Sequence, residues 1–452
     1  MSWENPFRYR RDEDQIPTIQ QILHTSYGGG WASLVPVKAE DGTFPIVRTY
    51  ANFISHSDVS YYTILYAGLF HHTFQRHGLD WIRALYPLWF ELKSKAFTAL
   101  QLEIDALGSQ SPSDELLSAV LTLSVQEPNP EALQVPPIKY PESPLARFQL
   151  LRSVGYLKPE PTHLKALYYL VSRRGGIHNV KSFGIINTLA LADLIAATCS
   201  ITAPVFPCIW KVPGHLEAGS SESGNRSLRE DFGTWLRYMP ILQGPSFQPF
   251  MDLIPDLQNV TIAVERLVNP QETELDIGDV ISYANLTHYR TLKLFNQEPS
   301  LSINLPALPV PSLEPPQATS AGTNSAPFLE ILRLTTLIYS NLVIFPLAVA
   351  SGVRFTLATR IQRLLWKPEF RRLQDPYLDF WVVAMACIAC LPHKLGTPEA
   401  VLLLQRLENL TKVSYAGKDG LQTFIEIMKG HLWWDHVCSA YIREIWQHLY
   451  PE

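Results

Sequence analysis

Helical spacing recurs in this chain wherever proline does not interrupt it, and that restricts the fold more than any other feature. After Pro161, the residues Leu164, Leu167, Tyr168 and Val171 follow i, i+3, i+4, i+7. Arg173 and Arg174 suit the last turn of such a helix, and Gly175 suits the left-handed residue that ends it. Ser111, Pro112 and Asp114 read as an N-cap, a first-turn proline and a capping-box acid, with Leu117, Val120 and Leu121 following at helical intervals. This predicts a helix from there to about Gln126. Further helices are expected at about 57–76, 79–106, 183–199, 329–344, 355–366, 378–391, 398–410, 419–430 and 435–449. Alternating strand patterns bounded by hairpin dipeptides are nearly absent, so the predicted class is all-α: a large multi-helix domain with proline-rich loops.

Punctuation divides the chain further. Residues 1–55 hold Gly28, Gly29, Gly30, Pro36 and Pro45 with little periodicity and read as an irregular N-terminal segment. A helical body is expected over 56–298, a proline-rich linker or loop over 299–327, and a C-terminal helical part over 328–452. The linker carries Pro306, Pro309, Pro311, Pro315 and Pro316 among Ser, Thr and Gly. Pro128 to Pro144 is a second proline-rich passage, and 218–229 reads as a polar loop.

Hydrophobic residues make up 46% of the chain, enough to build a large core and to exclude disorder throughout. The net charge of −5 opposes the basic balance that phosphate neutralisation needs, so strong autonomous DNA binding is not expected. Five cysteines, the first at Cys199, form no disulfide framework and fit a reducing compartment. The N-terminal residues show no secretory signal. Leu334 to Val353 is uncharged and long enough to span a bilayer. However, Asn341, Pro346 and several hydroxyl residues weigh against a span, and no membrane attachment is expected.

Candidate sites are few. Cys387 and Cys390 form a C-x-x-C pair inside an apolar helical run and read as buried structural thiols. His431, Asp435 and His436 lie close together, as do His71, His72 and His77, but neither set has a recognised ligand spacing. No phosphate-cradling loop follows Gly28 to Gly30, and neither a G-x-S-x-G elbow nor a kinase signature set is present. No catalytic, cofactor-binding or metal-ligating residue is assigned. Asp193 is the polar residue of most interest, because Ile186, Leu189, Ala190 and Ala197 place it on the apolar face of its helix. A carboxylate there needs a partner, and the reading is a structural anchor, a buried ion pair with Arg173 or Arg174 or a hydrogen-bonded carboxylate. A ligand-contacting role is the alternative.

Three blocks near the C-terminus have a further implication: Glu330, Arg333, Leu334, Tyr339, Asn341, Phe345 and Pro346; then Phe380, Trp381, Met385, Ala386 and Ala389; then Leu432, Trp433, Asp435, Cys438 and Trp446. In their order they resemble the C-terminal regulatory region of fungal zinc-cluster transcription factors, the fungal-specific transcription factor domain. In the middle of the chain, His163, Leu164, Leu167, Leu170 and Val171 followed by Arg174, Gly175, Gly176 and Ile177 look like that family's helix ending in an Arg-Gly-Gly element. Asp193, Ala196, Pro204, Phe206 and Pro207 look like its next block. The resemblance covers about residues 56–450 and implies a nuclear regulator of transcription, with a cytoplasmic pool left open, that is not an enzyme. It implies other transcription regulators or coactivators as partners and leaves any small-molecule effector unidentified. The family's six-cysteine zinc cluster has no counterpart here, since no cysteine precedes Cys199. The expectation is therefore action through a partner, without a DNA-binding domain of its own. The alternatives from the residues alone are a cytosolic helical protein or enzyme sharing the packing and, behind it, a protein attached to a membrane through 334–353.

Overall fold

The computed structural model describes residues 17–78, 85–135, 140–217, 236, 242, 244–268, 275–294, 326–370, 375–391, 395–414 and 420–451. Within them the chain is all-α, and the strand content is one antiparallel pairing of Glu127 with Lys158 and Pro128 with Leu157. The helices start where the chemistry requires. Proline fills the first turn at Pro45, Pro161 and Pro376, where its missing N–H costs nothing. Ser57 and Asp375 accept hydrogen bonds from the first free N–H groups of the helices that follow them.

The chain divides into two compact units. One takes the chain through Gln134, with Arg147–Cys199 and Val205–Ile209; the other takes Val135–Ala146, Ser200–Pro204 and Trp210 onward. The division falls inside the 56–298 stretch expected as one body. Part of the reason is the proline-rich passage around Tyr140, which packs with residues far along the chain. Ser143 donates to the Val343 carbonyl at 2.6 Å and Tyr140 lies 4.2 Å from Tyr441, ring centre to ring centre. The proline-rich stretch 299–327 lies almost wholly outside the described residues, as does the polar loop at 218–229.

The first unit contains α1 (Pro17–Thr25), α2 (Pro45–His56), α3 (Asp58–His77), α4 (Tyr86–Leu107), α5 (Asp114–Val125), α6 (Pro161–Arg173) and α7 (Ile185–Ser200). Helix α3 is its hub: it packs against α1, α2, α4 and α5, and buries Tyr61, Leu65, Tyr66, Leu69 and Phe70. Helices α1 and α2 correct the irregular segment expected over 1–55. Ile19, Ile22 and Leu23 supply a buried face for α1, and Ile46, Tyr50, Phe53 and Ile54 supply one for α2.

The second unit contains α8 (Gln248–Val268), α9 (Ile277–Lys293), α10 (Ala326–Val343), α11 (Val353–Leu365), α12 (Pro376–Cys390), α13 (Pro398–Ser414), α14 (Gly420–Lys429) and α15 (Asp435–Leu449). Helix α12 is buried on every side from Leu378 to Cys390 and packs against α10, α11, α13 and α15. The apolar run from Leu334 is not one span. Helix α10 ends at Val343, and the chain turns at Pro346 before α11 starts. Among the described residues no helix is long and apolar enough to cross a membrane.

Candidate functional site

Asp193 is 2% exposed on α7. Its Oδ1 accepts from the Tyr168 hydroxyl of α6 at 2.7 Å, and its Oδ2 accepts from the Phe206 N–H at 2.7 Å. The rings of Tyr168 and Phe206 meet edge to face at 5.2 Å. One carboxylate thus fastens α6 and the chain at Phe206 to α7, the hydrogen-bonded form of the expected anchor. The ion-pair form is corrected, because neither arginine bonds to Asp193. Arg173 donates to the Gly108 carbonyl. Arg174 donates to the Pro112 and Asn179 carbonyls, and it pairs with Asp114 at 2.7 Å.

That last pair belongs to a knot. Asp114 is 5% exposed, and its second oxygen accepts from the Lys181 and Ser182 N–H groups at 2.9 and 2.7 Å. Gly175 and Gly176 let the chain turn back toward it. Both take positive φ, at 89° and 103°, and the Gly176 N–H bonds to the Val171 carbonyl across the end of α6. The Arg-Gly-Gly element and the Asp193 block are therefore two structural fastenings of the first unit.

The cysteines and His431 among the other sequence candidates are spent on packing, whereas Asp435 and His436 are exposed. Cys387 and Cys390 lie buried in α12, and burial pushes both thiols up, that of Cys390 to about 12. This is opposite to the shift a reactive thiol needs. His431 is buried, bonds through Nδ1 to the Ile427 carbonyl at 3.1 Å and stacks on Trp381. Asp435 instead receives Trp433 Nε1 and Ser439 Oγ, both at 2.8 Å. Among the described residues no three His, Cys, Asp or Glu side chains gather to hold a metal ion. The His77 side chain lies outside the described residues.

His71 and His72 occupy a different setting. They line a cavity of about 100 Å³ in the first unit, beside α3, whose walls include Thr25, Trp31, Tyr50, Ala67, Thr122 and Gln126. The chain kinks at Gly29 between two helical turns, and Ser26 and Gly30 line this cavity. Trp31 stacks on Tyr50 at 5.4 Å and meets Tyr27 at 4.7 Å. His72 Nδ1 lies 2.8 Å from the Thr25 hydroxyl.

His71 Nδ1 lies 2.8 Å from Ser153 Oγ, which is not part of the wall, and its other edge faces Gln126. Burial pushes the imidazole down to about 4, against a smaller upward pull from the Gln126 side chain. The pair nonetheless completes no well-aligned hydrogen bond, leaving His71 Nε2 and Gln126 Oε1 buried without a partner. Such orphaned atoms cost free energy unless something satisfies them. Sequence reading picked out the two histidines but not their surroundings, because Ser153 and Gln126 arrive from 82 and 55 residues further along the chain.

A second concavity of about 170 Å³ lies among Tyr66, Lys93, Phe97, Glu127, Glu160 and His163. Three of its charged groups, Lys93, Glu127 and Glu160, are engaged within the chain. Lys93 pairs with Glu127 at 2.6 Å, Tyr66 donates to Glu127 at 3.2 Å, and Glu160 caps α6. The first cavity is thus the stronger candidate. No protein-family model, curated protein or solved structure matches the chain.

Proposed function

We propose that this chain is a transcription regulator built on a helical regulatory body like that of fungal zinc-cluster factors, and that it reaches promoters through a partner protein. The observation that carries the reading is the ordered set of blocks that resemble that domain, from His163 to Gly176 through Asp193 and Phe206 to Trp381 and Trp433. The all-helical fold is compatible with it. Three residues of the blocks, Asp193, Trp381 and Trp433, are each 2% exposed or less, which suits a role in packing. The net charge of −5, opposite to what phosphate binding needs, is the reason this reading gives the DNA contact to a partner.

The direct test is a duplex-binding assay with genomic fragments at near-physiological salt, using the isolated 452-residue chain. The reading expects no sequence-specific complex. Tight binding to one sequence that survives added salt would overturn the partner model.

A further inference from the structure

Helix α11 carries an inference that does not depend on the transcription reading. It buries Leu357, Ala358, Ile361 and Leu365 on one side, and its other side is exposed at Thr356, Arg360 and Arg363. Trp366 and Lys367 continue that side past the last turn, and both are exposed. Residues 353–368 contain no Asp or Glu, in a chain that holds 42 acidic residues against 37 Lys and Arg. On other helices exposed cations pair with a neighbouring acid, as Lys95 does with Glu91 and Lys429 with Glu426, both at 2.9 Å. Among the described residues, no ion pair engages Arg360, Arg363 or Lys367.

The helix dipole favours cations in the last turn, which accounts for Arg363 and Lys367. It does not account for Trp366, which is 58% exposed where the other described tryptophans are buried or half-buried. An exposed tryptophan beside arginines has the composition of a protein interface. The size of the patch narrows the partner further. Its cations stand at i, i+3 and i+7, which covers about 10 Å of helix. Duplex binding that neutralises roughly six to ten phosphates needs more cations than these, and beyond the patch a chain of net charge −5 repels a long polyanion. Lying on an anionic bilayer needs an apolar face, and among the described residues Trp366 is the one fully exposed apolar side chain of α11 and its cap.

We propose that the side of α11 formed by Arg360, Arg363, Trp366 and Lys367 docks a short acidic segment of a partner protein. Carboxylates three or four residues apart on a helical segment match the spacing of the cations. Each arginine holds a carboxylate through two N–H groups, and an apolar side chain of the segment covers Trp366.

Fluorescence anisotropy of the full chain with a short labelled peptide of Asp, Leu and Phe, its carboxylates at every third or fourth position, tests this. The peptide should bind at low salt with a Kd on the order of 0.1 mM and lose affinity as salt is added. The same peptide with Asn for Asp should bind about tenfold more weakly or worse. Arg363→Glu and Trp366→Ala should each weaken binding about tenfold. Lys165→Glu, the same change of charge on an exposed residue of α6, should leave it unchanged. Should the melting curve of Arg363→Glu show that it does not fold, Lys367→Glu is held to the same outcome. No binding at about 1 mM, equal affinity for the Asn peptide, affinity unchanged in Arg363→Glu or Trp366→Ala, or an equal loss in Lys165→Glu would each overturn the proposal. So would tighter binding of a single-stranded oligonucleotide or of phosphatidylserine vesicles than of the peptide.

Discussion

Asp193 gathers two donors, the Tyr168 hydroxyl and the Phe206 N–H, at a depth where water does not replace it. Asp193→Ala leaves both without that acceptor and should destabilise the first unit by about 2–4 kcal/mol, the summed cost of two unsatisfied buried groups. Asp193→Asn keeps one acceptor oxygen and should lose less. Urea unfolding checks both, and an unchanged midpoint for the alanine variant would mean the carboxylate is not an anchor. The buried histidines give a second residue-scale expectation. Burial holds His71 and His431 down to about 4 and His288 to about 3. The unfolded chain takes up these protons near pH 6.5, whereas the folded chain resists them. The stabilisation is complete above about pH 6.5 and is lost as pH falls toward about 4, at up to about 1.4 kcal/mol per pH unit for each histidine. His288 bonds to Ser340 and stacks on Phe345. His288→Gln should therefore flatten the pH dependence of unfolding by about one proton between pH 4.5 and 6. An equal slope in wild type and variant would contradict the burial argument.

At the scale of elements, most helices were legible, but α8 and α9 were not, although Asp276 caps α9 by accepting from the Gly278 N–H. The helix expected from Pro161 to Gly175 is α6, with its glycine cap in place. Helix α5 is present, but Ser113 caps it, not Ser111. Ser113 Oγ accepts from the Leu116 N–H, which moves Asp114 into the first turn and frees its carboxylate for Arg174. Helix α8 went unread because Pro255 lies inside it, and sequence rules take an interior proline as a helix end. Gly175→Ala tests the cap. At φ 89°, with Asn179 Nδ2 2.7 Å from the new Cβ, it should cost about 1–2 kcal/mol. Asp114→Ala should cost more, about 3 kcal/mol, because Arg174 and two N–H groups lose their common acceptor. Thermal melts showing the reverse order would mean that the knot contributes less than the cap.

For the whole molecule, fold class was readable from pattern alone, because period 3.6 dominates and strand signals are missing. The division into units was not, since it depends on contacts such as Ser143 with Val343, 200 residues apart. The cavity was half legible: two histidines stood out on α3, but its neutrality is a property of walls gathered from separated segments. The proposed function rests on the resemblance of the blocks. The transcript profile of a strain lacking this chain, compared with the same strain carrying it again, tests that claim most directly. The account predicts a coherent set of altered transcripts restored by the wild-type chain and not by a variant with the Asp193 fastening removed. A profile indistinguishable from the parent under every condition tried would contradict it.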